Sequence, residues 1–89
     1  MINWRIKNAD FLPDYSVKIE FMDGKHGTIK FAESFFSNIF TPLRDIKLFL
    51  TGYIKYGAIT WDTGELELDL APDAMYERIQ NNNGVDILQ

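Results

Sequence analysis

Apolar and polar residues alternate most cleanly from Tyr15 to Met22. Tyr15, Val17, Ile19 and Phe21 interleave there with Ser16, Lys18, Glu20 and Met22. A period of two sends successive side chains to opposite faces, so this stretch predicts a strand with one face in a core. Trp4-Arg5-Ile6-Lys7 alternates in the same way and predicts a first strand, with Asn8 to Asp14 as a connection around Pro13. Asp23-Gly24 is a hairpin signal, and His26 to Phe31 predicts the return strand. A two-residue turn would turn Ile29 and Phe31 to the wrong face. An odd loop, Asp23-Gly24-Lys25, is therefore expected, with Met22 opposite His26 and Gly24 in the left-handed region.

The period is lost from Ala32 to Phe40. Glu33 to Phe36 can make one helical turn, and Phe31, Phe35, Phe36 and Phe40 point to a loop folded over the core or to an exposed aromatic patch. Thr41-Pro42 reads as an N-cap and first helical position. Leu43, Ile46, Phe49 and Leu50 then predict one face of a short helix ended by Gly52. Tyr53 to Tyr56 and Ile59 to Trp61 flank Gly57-Ala58 as a tight hairpin, followed by a turn at Asp62-Thr63-Gly64. Glu65, Glu67 and Asp69 alternate with Leu66, Leu68 and Leu70, which predicts a strand with three acids on one face and three leucines on the other. Same-face carboxylates lie about 7 Å apart, so that face must meet water or a Lys or Arg. Pro72 opens a last helix with Met75, Tyr76 and Ile79 on its apolar side, stopped by Asn81 to Gly84.

These elements predict an α+β fold: an antiparallel sheet of about five short strands, including two hairpins, with two short helices. Residues 1–84 form a single domain and residues 85–89 a loose C-terminal tail.

Charge adds a second layer. The net charge is −4, with +2 in residues 1–61 and −6 in residues 62–89. An acidic C-terminal third disfavours a surface that tracks phosphates, and so disfavours nucleic acid. It fits a solvated face or a face that meets a basic partner. There is no cysteine, which removes disulfides and thiolate chemistry and suits a reducing cytoplasm. No apolar run approaches the roughly 20 residues of a membrane span, and the first five residues lack the pattern of a signal peptide. A cytoplasmic address without membrane contact is expected.

Candidate chemistry is sparse. His26 is the only histidine and sits beside a predicted turn, with no second nitrogen ligand. Glu65, Glu67, Asp69 and Asp73 follow strand alternation rather than a cation-binding loop. Ser16, Ser34 and Ser37 have no nucleophile-elbow setting, and Gly24, Gly27 and Gly64 are isolated turn residues. Trp61 and Tyr76 read as core aromatics with satisfied N–H and O–H groups. An enzyme is not expected, and no motif asks for a cofactor or metal.

Four pieces of the chain also carry a resemblance. They are L-P-D-Y with the following strand and D-G turn (Leu12 to Gly24), F-x-P-L-R-D (Phe40, Pro42 to Asp45) with Phe49, G-x-I-x-W-x-x-G (Gly57 to Gly64), and L-D-L-A-P-D-x-M-Y-E (Leu68 to Glu77). In this order the chain resembles the small bacterial family called domain of unknown function 2442. The resemblance implies a compact α+β domain. It carries no agreed activity and no catalytic residues. It implies proteins that stand alone or beside helix-turn-helix modules, many of them suspected partners of a neighbouring small protein in toxin–antitoxin-like pairs.

The expected function is a non-catalytic protein-interaction module, regulatory or antitoxin-like, that meets a small basic protein through Glu65, Glu67, Asp69, Asp73 and Glu77 together with exposed Phe35 and Phe36. A DNA-binding regulator acting as a dimer is the alternative. Open strand edges make a homodimer a further expectation.

Overall fold

The computed structural model describes residues 4–89. The reading of Met1, Ile2 and Asn3 as free of a signal peptide lies outside these residues. Among the described residues seven strands form two sheets. Sheet A has the order β1 (Ile6–Leu12), β2 (Ser16–Phe21), β3 (His26–Phe31), β7 (Val85–Leu88), and sheet B has the order β4 (Tyr53–Lys55), β5 (Ala58–Asp62), β6 (Glu67–Asp69). Two α-helices, α1 (Ile46–Phe49) and α2 (Pro72–Asn81), and two 3-10 segments, Glu33–Phe35 and Asn38–Arg44, complete the fold.

The α+β class is as expected, but the single antiparallel sheet of five strands is not. β7 lies parallel to β3, so sheet A is mixed. The last residues are a strand rather than a loose tail. Asp86 and Leu88 turn inward while Val85 and Ile87 turn out, and the four-residue alternation Val-Asp-Ile-Leu is disguised by its inward acid.

The first strand is also displaced. It runs from Ile6 to Leu12 instead of Trp4 to Lys7, taking in most of the expected connection and leaving Pro13-Asp14-Tyr15 as the turn, so that Tyr15 precedes β2 rather than opening it. Ala9 and Phe11 face inward opposite Ile19 and Val17, whereas Ile6 is buried opposite Phe21. Odd and even positions thus share one face. A register shift between Ile6 and Asn8 makes that possible, because a bulged residue resets the alternation.

The β2–β3 hairpin has the expected odd parity, with Val17 opposite Ile29 and Ile19 opposite Gly27. Its register differs by two: His26 faces Glu20, not Met22, and the loop is Met22-Asp23-Gly24. The Asp23 carboxylate accepts from the Lys25 N–H at 3.0 Å, which folds the turn one residue earlier. Gly24 occupies the left-handed region at φ 90.

The expected helix from Pro42 to Leu50 is broken. Asn38–Arg44 is 3-10, Asp45 is extended, and α1 starts after it with the Asp45 carboxylate accepting from the Lys47 N–H. Thr41 caps nothing; its hydroxyl donates to the Asn38 carbonyl. On one continuous helix Leu43 and Phe49 would point about 120° apart. Both are fully buried, and the break at Asp45 lets them face the same core.

In sheet B the tight turn is Tyr56-Gly57 rather than the expected Gly57-Ala58, with both residues at positive φ, as a two-residue hairpin requires. Only Glu67–Asp69 of the leucine–acid run is strand. Leu68 is buried and Leu70 packs against the core, but Leu66 is 48% exposed in the preceding turn, contrary to the three-leucine face expected. α2 begins at Pro72 without a side-chain cap and buries Met75, Tyr76 and Ile79.

One apolar cluster joins both sheets and both helices. Trp61 is its centre. It is fully buried, its indole N–H donates to the Phe49 carbonyl at 2.9 Å, and Phe11, Phe31 and Phe49 ring it at 5.7–6.0 Å. Phe11 comes from sheet A and Trp61 from sheet B, so this aromatic group is the seam between them.

Candidate functional site

The acidic residues lie on or beside β6 and α2. Pairing of Asp62 with Glu67 and of Thr60 with Asp69 sets the register of β6. Trp61 and Leu68 face inward in that register, so Glu67 and Asp69 share the outer face with Tyr53 and Lys55 of β4. Glu67 reaches across β5 to Lys55 at 2.9 Å and accepts from the Tyr53 hydroxyl at 3.2 Å. The acids of β6 thus meet both environments expected of them, water and a cation. The hydrogen bond and charge of Glu67 raise the Lys55 ammonium above its ordinary value. Burial first, then the charge of Glu67, raises the Tyr53 phenol.

Glu65 sits in the turn before β6, Asp73 in the first turn of α2, and Glu77 one turn further on the same exposed side. Glu65, Asp69, Asp73 and Glu77 are exposed, and among the described residues none of them has an ion-pair partner. Only Leu70, Ala71 and Pro72 separate Asp69 from Asp73.

Phe35 and Phe36 do not join this surface as exposed aromatics. Phe36 is 3% exposed and packs on Tyr15, Phe31, Phe35 and Phe49; Phe35 is half-buried and stacks on Phe40 at 4.7 Å. The run of phenylalanines folds over the core because Phe31 ends β3 and the 3-10 turn directs the next two rings back across it.

The L-P-D-Y and P-L-R-D segments meet here, a convergence their sequence separation hides. Tyr15 has a positive φ of 60, uncommon for an aromatic residue. Its hydroxyl donates to the Arg44 carbonyl, and the Arg44 Nε donates to the Phe36 carbonyl at 2.8 Å. Asp14, Tyr15, Phe31, Glu33, Phe36 and Arg44 line an open cavity of about 350 Å³. Arg44 and Glu33 form a solvent-exposed pair at 3.4 Å across its rim. The bonds of Tyr15 and Arg44 run to backbone carbonyls, so these side chains fix the loop after β3 in place.

His26 stands on the outer face of sheet A with its side chain 74% exposed, as a hairpin residue should. Glu20 lies 3.5 Å away and also accepts from Asn8. Among the described residues no group of three or more His, Cys, Asp or Glu side chains comes together in a way that would hold a metal ion. Nor is any helix among them long and apolar enough to cross a membrane.

Tyr76 also has a polar partner. Its hydroxyl donates to Asp23 in the β2–β3 turn, tying α2 to the hairpin. That bond lowers the Asp23 carboxyl and raises the Tyr76 phenol.

Neither the curated proteins nor the solved structures yield a match to this chain. The family model described as a protein of unknown function (DUF2442) matches residues 6–81, from the first residue of β1 to the last residue of α2. The motif segments above, the Tyr15–Arg44 junction and the Trp61 seam all fall within that span, and the chain belongs to the DUF2442 family.

Proposed function

We propose that the protein is a non-catalytic interaction module, a regulatory or antitoxin-like partner of a small basic protein. The observation that carries this reading is the set of four exposed carboxylates, Glu65, Asp69, Asp73 and Glu77, that have no intramolecular cation among the described residues. They sit on or next to a strand and a helix whose opposite sides are locked into the core by Leu68, Met75 and Ile79. Such a surface presents charge in a fixed pattern. Fixed complementary charge speeds encounter and selects partners more than it adds affinity. Glu67 has a different task, because Lys55 already neutralises it and it clips β6 to β4. Phe35 and Phe36 drop out of the contact set through their packing. The lack of cysteine fits a partner met in a reducing cytoplasm.

The test is affinity capture from the native cell with the wild-type chain and with a variant carrying Glu65, Asp69, Asp73 and Glu77 all as Ser. A basic protein recovered by the wild type at low salt, and lost in the variant or at high salt, is the expected result. Recovery of the same proteins by both chains at every salt concentration would remove the acidic surface from the interface.

A further inference from the structure

The four strands that border the two sheets are not alike. β6 carries exposed Glu67 and Asp69 at one border of sheet B, and β4 carries Lys55 at the other. The Ile6 N–H of β1 is taken by the Gly57 carbonyl, and Phe11 of β1 lies against Gly52 and Trp61. Charge and covering neighbours are the usual protections of a sheet edge. β7 has neither. Its one charged residue, Asp86, is buried, while Val85 and Ile87 are exposed, Ile87 to 56%. Among the described residues no strand pairs with its outer side.

The backbone of β7 alternates predictably. The carbonyls of Gly84 and Leu88 accept from Thr28 and Ala32 on the β3 side. The peptide groups of the odd residues therefore point away from β3. The Val85 N–H returns to the Asn82 carbonyl at 3.3 Å, which leaves the Val85 carbonyl and both backbone groups of Ile87 facing out.

We propose that β7 pairs antiparallel with β7 of a second copy of this chain, across a two-fold axis at Ile87. In this arrangement each Ile87 N–H donates to the Ile87 carbonyl of the other copy, as in any hydrogen-bonded antiparallel pair. Only odd residues can form the hydrogen-bonded pairs, so the two Ile87 side chains meet on the outer face and cover one another. An identical strand satisfies the edge on both sides at once, as an isologous contact requires. Two copies of net charge −4 also meet here without opposing exposed acids, which β6 would not allow. The result is one eight-stranded sheet from two sheets A, with both acidic surfaces left open.

Sedimentation of the full chain from about 10 µM to about 1 mM tests this, a range suited to a contact of four residues per chain, well below standard interface size. A monomer–dimer equilibrium is expected. Ile87→Lys places like charges opposite each other and should raise the dimer dissociation constant about tenfold or more. Leu66→Lys, at an exposed leucine away from the edge, should leave it unchanged. Hydrogen exchange on the wild type gives a readout independent of any variant: protection of the Ile87 amide should rise with protein concentration. A wild type that stays monomeric across the range, an Ile87→Lys chain that dimerises as well as wild type, or an Ile87 amide whose exchange ignores concentration would overturn the assignment. An edge reserved for an extended segment of another protein gives the first of these results.

Discussion

Replacing Gly52 with alanine probes the seam between the two sheets. Its φ is not in the left-handed region, so conformational entropy alone would make alanine stabilising by about 0.4–1 kcal/mol. Space decides otherwise. A Cβ on Gly52 would lie 2.2 Å from Phe11 Cε2, 2.4 Å from Phe11 Cζ and 2.7 Å from Trp61 Nε1. Trp61 is fully buried and held by its bond to the Phe49 carbonyl, and the partly buried Phe11 can yield only by giving up its edge-on contacts with Phe49 and Trp61. Overpacking of this kind costs about 1–3 kcal/mol, and losing the indole hydrogen bond adds about 1 kcal/mol. The net loss is about 1–4 kcal/mol, a large part of the roughly 4–13 kcal/mol available to a chain of this size. The Tm should fall by about 5–25 °C. Urea unfolding followed by tryptophan fluorescence, with a thermal melt by circular dichroism, measures both. Phe11→Leu in the same chain should recover part of the loss, so the two changes should be non-additive. Gly64→Ala, which adds a methyl to open space at φ 91, should cost about 1 kcal/mol through the backbone alone and gain nothing from Phe11→Leu. A Gly52→Ala chain as stable as wild type would refute the close approach.

Three further outcomes are expected. Asp86→Asn should leave stability unchanged or raise it by up to about 1 kcal/mol, since one buried carboxylate oxygen has no hydrogen bond and its nearest cation, the half-exposed Arg78, is 3.7 Å away. Arg78→Gln, which strands that carboxylate, should be the more destabilising change, and denaturant titration at pH 7 ranks the two. The Asp23–Tyr76 bond should stabilise the fold only between two limits. Asp23 is lowered from 3.8, so its contribution is present above 3.8 and fades as pH falls through the lower folded value; Tyr76 is raised from 10.0, so its contribution is present below 10.0 and fades as pH rises through the higher one. Melting wild type and Tyr76→Phe side by side should show their Tm difference shrinking at both extremes, and a constant difference would contradict the linkage. Phe36→Ala should cost about 3–5 kcal/mol as a core truncation, whereas Glu65→Ser should stay within about 0.5 kcal/mol; equal effects in an unfolding titration would restore Phe36 to the surface.

The hairpins, the buried face of α2 and the acidic outer face of β6 were legible because in each the periodicity agrees with the burial. Periodicity misplaces β1 because its inward set changes parity between Ile6 and Ala9, and no periodic pattern shows a bulge. The pattern extends the helix at Pro42 too far because Leu43 and Phe49 are both core residues, and only the extended Asp45 reconciles them. β7 is hidden in the sequence because Asp86 faces inward, where the alternation calls for an apolar side chain. In the candidate site the charges were legible and the packing was not. Phe35 and Phe36 look like an exposed pair until Phe31, Tyr15 and Phe49 are seen closing over them. The one sequence signal for Tyr15 is its place just after Pro13-Asp14, a turn signal.

The parallel pairing of β3 with β7 also sets an order in time. Fifty-six residues separate Thr28 from its partner Val85, while the β2–β3 hairpin closes over a three-residue loop. On a ribosome, β1 to β3 can assemble long before residues 85–88 emerge, and for that interval the far side of β3 has no strand beside it. Long-range pairing of this kind slows folding and leaves the nascent chain open to wrong partners. A chain interrupted just after α2 would keep most of its core residues yet carry an unfilled strand position permanently.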